Sequence, residues 1–341
     1  MRAVVFTESG GPDVLKVEQR PDPAVGAGEV RVAVRAAGVN FAELLARTGL
    51  YPDAPKLPAV LGYEFSGEVE TVGAGVEGFA VGDPVFGPVK FGGQAELVTV
   101  PAGDVYRKPE RLSFDQAAAL PVNYCTALAA IVEMGGLREG QRILIHAAAG
   151  GVGTAATQIA KEIGAEIFGT ASAAKHDTIR GFGVDHPIDY RSADFEAEVM
   201  EITGGEGVNL VIDAQGPTTF RKDYRILRPG GRLVMYGLSE VQGSKILSRK
   251  TLSTLVRMPL ATTPWWKSLA IMNTNKGTFG LNLLSWWDDE GLGRLGAMLE
   301  ERLDAGQFEP VIAKTFSFSD APEAHRYIEA RKNIGKVILN P

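Results

Sequence analysis

At 341 residues the chain is too long for one ordinary core, and its 45% hydrophobic and 22% charged residues give the composition of a soluble globular protein with two domains. A formal net charge of -6 leaves no basic footprint for nucleic acid or an anionic membrane. One cysteine, Cys125, excludes an intrachain disulfide. The opening MRAVVFTESG lacks the apolar core of a secretory signal and no apolar run reaches spanning length, so a cytoplasmic protein is expected.

Up to residue 121 the pattern is of short strands punctuated by glycine and proline, at 3–6, 29–36, 67–72, 84–86 and 95–101, which predicts a compact antiparallel β unit. Beyond Thr126 the rhythm becomes apolar strand, glycine turn, helix, repeated. Strands are expected at 142–148, 166–171, 187–190, 209–214 and 232–237. Four of these are near-continuous apolar runs, as in a parallel sheet covered on both faces, so a doubly wound α/β domain follows. Residues 252–287 hold all four tryptophans among prolines and lysines. A helix at 292–305, a strand at 311–318, a helix at 322–332 and a strand at 336–339 close the chain and are expected to return to the first domain. The domain division is thus 1–121 with 290–341, and 122–289.

The segment HAAAGGVGTAATQIAKEIGA places Gly151, Gly153 and Ala156 at the spacing of a dinucleotide loop between a strand and a helix. Glycines let backbone approach a pyrophosphate, and the helix start offers amide donors and a favourable dipole. About twenty residues on, NAD-preferring sites carry a carboxylate for the ribose hydroxyls. This chain has Ser172, Ala173, Ala174 and Lys175 there, a cation and no acid, which favours NADPH over NADH.

Metal chemistry has little to draw on. The four histidines, His146, His176, His186 and His325, show no ligand spacing. His146 is expected inside the first strand of the α/β domain, and the others on helix or loop positions where solvated or simply hydrogen-bonded histidines are common. A G-x-S-x-G nucleophile elbow is also missing from the sequence.

The segments AAGVNFAELLARTGLYP (36–52), LPAVLGYEFSGEVETVG (57–73), VGDPVFG (81–87), AAAGGVG and the terminal IGKVILNP resemble the zinc-independent medium-chain dehydrogenase/reductases, in the quinone oxidoreductase (zeta-crystallin) branch. Within it, VNYCTAL (122–128), the stretch 169–190 and KNIGKVILNP are most similar to the vesicle amine transport protein homologues. The resemblance implies a GroES-like β domain completed by the C-terminal residues, a Rossmann domain, and a cofactor in the cleft against the latter. Zinc-dependent relatives have Gly-His-Glu where this chain has Gly62-Tyr63-Glu64, and a four-cysteine lobe where it has Gly92-Gly93-Gln94-Ala95, so no metal is expected.

The same resemblance implies Ala149, Gly150, Gly151, Val152 and Gly153 on the pyrophosphate, and Ser172, Lys175 and Tyr190 around the 2′-phosphate. Thr126 and Asn40 are expected near the nicotinamide ribose and ring. Tyr236, Gly237 and Leu238, with Phe279, Gly280 and Leu281, are expected to flank the nicotinamide. Without zinc, a proton or hydrogen-bond donor must assist the acceptor. Tyr51 stands where related enoyl reductases have a tyrosine regarded as proton donor, and Asn40 is the second catalytic candidate; packing beside Pro52 and turn stabilisation after Gly38 are the competing roles. Glu64 reads as a locally hydrogen-bonded remnant of the metal shell.

The leading expectation is NADPH-dependent hydride transfer to a quinone or related unsaturated carbonyl compound. The alternatives are reduction of an enone or enoyl thioester, and a lipid- or membrane-interacting role carried by the aromatic segment 252–287. That segment is read in preference as a wall of the substrate cleft and a homodimer interface.

Overall fold

The computed structural model describes residues 1–241, 272–286 and 290–341. It divides into two compact units: Met1–Asn123 with Trp287–Pro341, and Tyr124–Trp286.

In the first unit, strands β1 (Arg2–Phe6), β2 (Lys16–Gln19) and β4 (Ala59–Val60) form a small antiparallel sheet. A larger sheet joins β3 (Glu29–Val39), β5 (Glu64–Val72), β6 (Pro84–Pro88), β7 (Leu97–Pro101) and β8 (Tyr106–Arg107) in antiparallel pairs. The C-terminal strand β16 (Lys336–Asn340) adds antiparallel to β3, and β15 (Ile312–Ser317) lies parallel to β16. The end of the chain therefore completes the sheet of its beginning. Alternation along β3 buries Val30, Val32 and Val34 against Phe65, Val69 and Val85. Helix α1 (Phe41–Arg47) packs Leu44 and Ala46 on Val4, Phe6 and Leu339. Helix α9 (Ala321–Glu329) follows α8 (Glu290–Asp304) and adds Ala321 and Ala324 to the same core.

The second unit is a parallel six-stranded sheet ordered β11-β10-β9-β12-β13-β14. The strands are β9 (Arg142–Ile145), β10 (Glu166–Ala171), β11 (His186–Asp189), β12 (Val208–Asp213), β13 (Leu227–Met235) and β14 (Gly277–Gly280). The order reverses between β9 and β12, the doubly wound arrangement that puts ligand crevices beyond the strand C-termini at the switch point. Helices α4 (Gly151–Ile163), α5 (His176–Phe182), α6 (Phe195–Ile202) and α7 (Pro217–Ile226) connect them. Before them, α2 (Phe114–Ala118) and α3 (Pro121–Leu128) lead out of the first unit, α3 running on into a π-helical turn, Ala129–Met134.

Three expectations need correction. The first α/β strand ends at Ile145, so His146 lies just beyond it: Ala147 adopts φ 52°, and the chain leaves the ladder to form the loop. His325 is neither solvated nor hydrogen-bonded; it is fully buried on α9, with no partner on either ring nitrogen. His186 opens strand β11 and bonds Glu166 at 2.9 Å. Of the tryptophan-rich segment, residues 252–271 and Trp287 lie outside the described residues, Trp265 and Trp266 included; the described part holds β14 and a 3-10 turn, Leu283–Trp286.

Candidate functional site

The glycine loop is tied down from both sides. His146 N–H donates to the Ile212 carbonyl (3.1 Å), Ala148 N–H to the Thr170 carbonyl (3.0 Å), and Ala147 N–H to Thr170 Oγ1 (3.2 Å). Gly150 caps α4 in extended conformation, and its own N–H returns to the Ala147 carbonyl (2.8 Å). A Cβ on Gly153 would stand 2.3 Å from the Ala147 oxygen, so glycine is required for the helix to sit on the loop. The first-turn amides of Gly151, Val152 and Gly153 have no partner inside the helix and point past its N-terminus. Ala149 is buried beside them. Such a mouth fits a pyrophosphate.

The residues expected around the ribose phosphate follow the ends of two neighbouring parallel strands, Ala171 pairing with Asp189. Ser172 starts a short 3-10 turn, Ala173–Lys175, whose Lys175 N–H returns to the Ser172 carbonyl (2.8 Å). Tyr190 follows β11, exposed, with the Arg191 guanidinium 5.8 Å from its ring centroid. Asp189, the last residue of β11, brings an acid to this end. Ser192 and the Arg191 N–H hydrogen-bond it and hold its carboxyl below the usual range. Arg191 and Asp189 were not singled out in the sequence, since neither falls within the fingerprint. Farther along the sheet, Met235 pairs with Gly280 and Leu281 N–H donates to the Met235 carbonyl (2.8 Å). This brings Tyr236, Gly237 and Leu238 beside Phe279, Gly280 and Leu281. Thr126 lies on α3, buried.

Behind the loop, His146 Nε2 meets Asp223 Oδ1 at 2.8 Å and its Nδ1 meets Thr170 Oγ1 at 3.1 Å. Burial opposes charge on the imidazole, but Asp223 and then Asp213 outweigh it and lift its pKa to about 9. Burial pushes the Asp213 carboxyl up to about 8, against the pull of His146. Among the described residues these three form the one group with metal-ligand potential. It is closed by direct hydrogen bonding, with an imidazole that keeps its proton, and metal binding demands the reverse.

The first unit holds a second polar cluster, assembled from five chain segments. Lys336 on β16 is buried and forms an ion pair with Glu64 on β5. Lys336 Nζ also donates to Asn40 Oδ1 (2.6 Å) and Asn123 Oδ1 (3.4 Å). Asn40 Nδ2 donates to Glu43 Oε1 (3.1 Å) and Glu64 Oε1 (3.0 Å). Glu43 also accepts from Asn40 N–H (3.2 Å), a helix-capping contact at the start of α1, and from Gln94 Nε2. Glu64 Oε2 accepts from Val122 N–H (2.8 Å), at the start of α3. A Cβ on Gly38 would lie 2.3 Å from Glu64 Oε1 and 2.6 Å from Lys336 Cε, so glycine there makes room for the pair. Gly62, at φ 104°, lets the chain of Gln94 pass within 2.5 Å of where a Cβ would stand.

Burial raises Glu43 to about 8 despite Lys336 and Asn40. The neighbouring Glu64 carboxylate adds to the effect of burial, and one proton on Glu43 leaves Lys336 and Glu64 as the charged pair of the set. Tyr63 is buried, and its hydroxyl makes no hydrogen bond of ordinary geometry. Burial, then the neighbouring Tyr51 and Glu43, push its ionisation far up. Tyr51 is half-buried against the Val4 and Phe6 core, and burial followed by Asp53 raises its pKa too. Both phenols stay protonated at neutral pH.

These residues do not fit zinc. Tyr63 is a neutral phenol where an imidazole would be needed, and Glu64 is engaged by Lys336, Asn40 and Val122. Glu64 is thus not locally bonded: its partners lie 24 to 272 residues away in the chain. Asn40 spends both amide hydrogens inside the cluster, which leaves it an acceptor toward anything else. Glu43 and Lys336 were not singled out by sequence reading, and Gln94 only as marking the missing cysteine lobe.

The family described as alcohol dehydrogenase GroES-like domain matches residues 26–110, and that described as zinc-binding dehydrogenase matches 182–339. The rat synaptic vesicle membrane protein VAT-1 homolog is 37% identical over 351 residues, covering 100% of this chain and 84% of that protein. Among solved structures, Escherichia coli quinone oxidoreductase complexed with NADPH superposes with a TM-score of 0.85 at 28% identity, with 100% of both chains covered. CurK enoyl reductase superposes at 0.84 with 30% identity, covering 99% of this chain and 98% of that one. No helix of the described residues is long and apolar enough to cross a membrane. Fold, sheet order and relatives agree, and the chain belongs to the medium-chain dehydrogenase/reductase family of oxidoreductases, in the branch that holds the VAT-1 homologues and quinone oxidoreductases.

Proposed function

We propose that this protein is an NADPH-dependent, zinc-free reductase acting on a quinone or a related small unsaturated carbonyl compound. The observation that carries the reading is the pairing of the amide-lined mouth at Gly150–Gly153 with a ribose end that offers Ser172, Lys175, Tyr190 and Arg191 and no carboxylate between 172 and 175. The nucleotide supplies a hydride when bound. Ala149 to Gly153 would hold its pyrophosphate, Lys175 with Ser172 and Tyr190 its 2′-phosphate, and Thr126 its ribose. Tyr236 to Leu238 and Phe279 to Leu281 would flank the ring. The similarity to a quinone oxidoreductase that carries NADPH supports the same reading.

Reduction of an enone or enoyl thioester is the second reading, favoured by Tyr51 and by the likeness to an enoyl reductase. Hydride added to an alkene carbon needs a proton on its neighbour, and a half-buried phenol that stays protonated is suited to give one. Asn40, its donors consumed, acts here as a positioning residue.

Calorimetric titration tests the cofactor assignment. NADPH should bind more tightly than NADH, and Lys175→Ala should weaken NADPH about 10- to 100-fold, the worth of one charge-assisted phosphate contact, while leaving NADH nearly unchanged. Equal affinity for the two nucleotides, or an equal loss of both in the variant, removes the reading.

A further inference from the structure

Ala147, at the foot of the glycine loop, has φ 52°, in the left-handed region that L side chains rarely enter; of the other described non-glycine residues, Asn275 and Arg331 share it. Strain of this kind persists where neighbours fix it, and it gathers at functional sites. Here a single residue holds it. The two peptide planes that meet at the Ala147 Cα are both hydrogen-bonded to Thr170: Ala147 N–H to Oγ1 (3.2 Å) and Ala148 N–H to the carbonyl (3.0 Å). The angle between those planes is the backbone conformation of Ala147. The Ala147 carbonyl in turn accepts the Gly150 N–H (2.8 Å) and stands 2.3 Å from where a Cβ on Gly153 would lie, so the first turn of α4 is seated on it.

Any residue at position 170 would supply the carbonyl, but the second bond needs a short side chain that carries an oxygen. That hydroxyl is itself oriented. His146 Nδ1 lies 3.1 Å from Thr170 Oγ1, and His146 Nε2 lies 2.8 Å from Asp223 Oδ1. With the Nε2 hydrogen given to the carboxylate, Nδ1 either accepts the Thr170 O–H or donates to its oxygen, and in both cases Oγ1 keeps a lone pair for Ala147 N–H. Thr170, His146 and Asp223 are all buried, so bulk water does not compete for these bonds. Three hydrogen bonds in series thus run from α7 to the loop.

We propose that Thr170, oriented by His146 and Asp223, is the positioning residue of the pyrophosphate subsite. The proposal rests on the reading of the Gly150–Gly153 mouth as a nucleotide site. With both planes at Ala147 pinned, the amides of Gly151, Val152 and Gly153 keep one direction before any ligand arrives, and a pyrophosphate meets donors already aligned. Without the hydroxyl, Ala147 N–H loses its partner and the strained φ has one anchor instead of two, so the ligand must reorder the loop as it binds. The loss falls on the pyrophosphate. Ser172, two residues on, keeps its own turn through the Lys175 N–H, and the 2′-phosphate side does not depend on the Thr170 hydroxyl.

The test is an equilibrium titration of NADPH, of ADP, which has the pyrophosphate without the 2′-phosphate, and of 2′-AMP, which has the reverse, together with amide hydrogen exchange on the nucleotide-free protein. Thr170→Val, nearly isosteric, should weaken NADPH and ADP about tenfold, the worth of one hydrogen bond, and leave 2′-AMP within about twofold. Thr170→Ser should restore most of the loss. Ala147 N–H should exchange at least about tenfold faster in Thr170→Val while Ala148 N–H stays protected, a readout that needs no ligand. Adding His146→Leu to Thr170→Val should cost ADP no more, since the series is already broken, and adding Ala147→Gly should recover part of the affinity, because glycine holds a positive φ unaided. Should Thr170→Val fail to fold, His146→Gln carries the same comparison at about threefold. ADP left unchanged or weakened only as much as 2′-AMP, or an Ala147 N–H as protected as in wild type, overturns the positioning role while wild-type NADPH binding still reports on the subsite. A wild type that takes up neither NADPH nor ADP defeats the nucleotide reading, and the role of Thr170 falls with it.

Discussion

Replacing Lys336 by Met removes the cation from the buried cluster and keeps most of the side-chain volume. In the native protein Lys336 and Glu64 are each at most 3% exposed, so neither charge is screened by water. With the ammonium gone, Glu64 keeps its bonds to Asn40 and Val122 but loses its counter-ion, and Asn40 Oδ1 loses its donor. Breaking a buried pair from one side costs about 3–5 kcal/mol. That is a large part of the 5–15 kcal/mol that holds a typical domain together. Urea unfolding at neutral pH should show the loss as a lowered midpoint at unchanged slope. The double variant Lys336→Met/Glu64→Leu should recover at least half of it, because no carboxylate is then stranded. A single-variant loss below about 1 kcal/mol, or a double variant as unstable as the sum of the two singles, would refute the view that Lys336 neutralises this cluster.

Two further consequences concern the buried histidines. Burial, and then Arg47, hold the His325 imidazole down at about 3, so the unfolded chain takes up a proton below pH 6.5 that the folded chain refuses. Stability present above pH 6.5 should be lost as pH falls toward 3, by an amount on the order of 5 kcal/mol, and His325→Leu should flatten that slope in urea titrations between pH 7 and 4; an unchanged slope would contradict it. His146 runs the other way: its stabilisation is complete below pH 6.5 and lost as pH rises through about 9. Asp223→Asn should therefore bring the His146 titration, followed by NMR, back toward neutral pH and cost about 1–3 kcal/mol; a His146 that titrates near 9 in that variant would show that Asp223 is not what holds its proton.

The α/β unit was largely readable because each of its signals is local. A strand such as 209–214 is buried on both faces and reads as an apolar run, and the glycine fingerprint needs only the six contiguous residues from Gly151 to Ala156 to declare itself. Strand ends were less legible, as at Ile145, where the chain departs because Ala147 turns to a positive φ that no residue type announces. Short elements failed for the same reason: β2 is mostly exposed and shows no alternation, and α1 spans two turns between Gly38 and Gly49. The polar cluster was the least visible feature. Its members come from residues 40, 43, 64, 94, 123 and 336, and only strand pairing of the two chain ends brings them together. His325 was misjudged because it shares a helix with polar neighbours, while its own side chain faces the core.

The chemistry of that cluster narrows what can assist the acceptor. A zinc ion in related enzymes polarises a carbonyl as a Lewis acid. Here the corresponding Gly62-Tyr63-Glu64 segment contributes to an assembly whose charges cancel internally, one ammonium against one carboxylate with a proton on the other. An assembly of that kind exerts little net field on a distant oxygen. Asn40, which sequence reasoning offered as an orienting group, has committed both N–H bonds to Glu43 and Glu64. On the proposed function, hydrogen-bond donation falls to Tyr51, the phenol at the margin of the core that retains an O–H at neutral pH. A quinone takes hydride and then a proton on oxygen, which solvent can supply, whereas an alkene must gain its proton at carbon and asks more of a positioned donor. On the proposed function, Tyr51 tunes the balance between those two activities while the nucleotide loop tunes cofactor affinity, so the two can be altered independently.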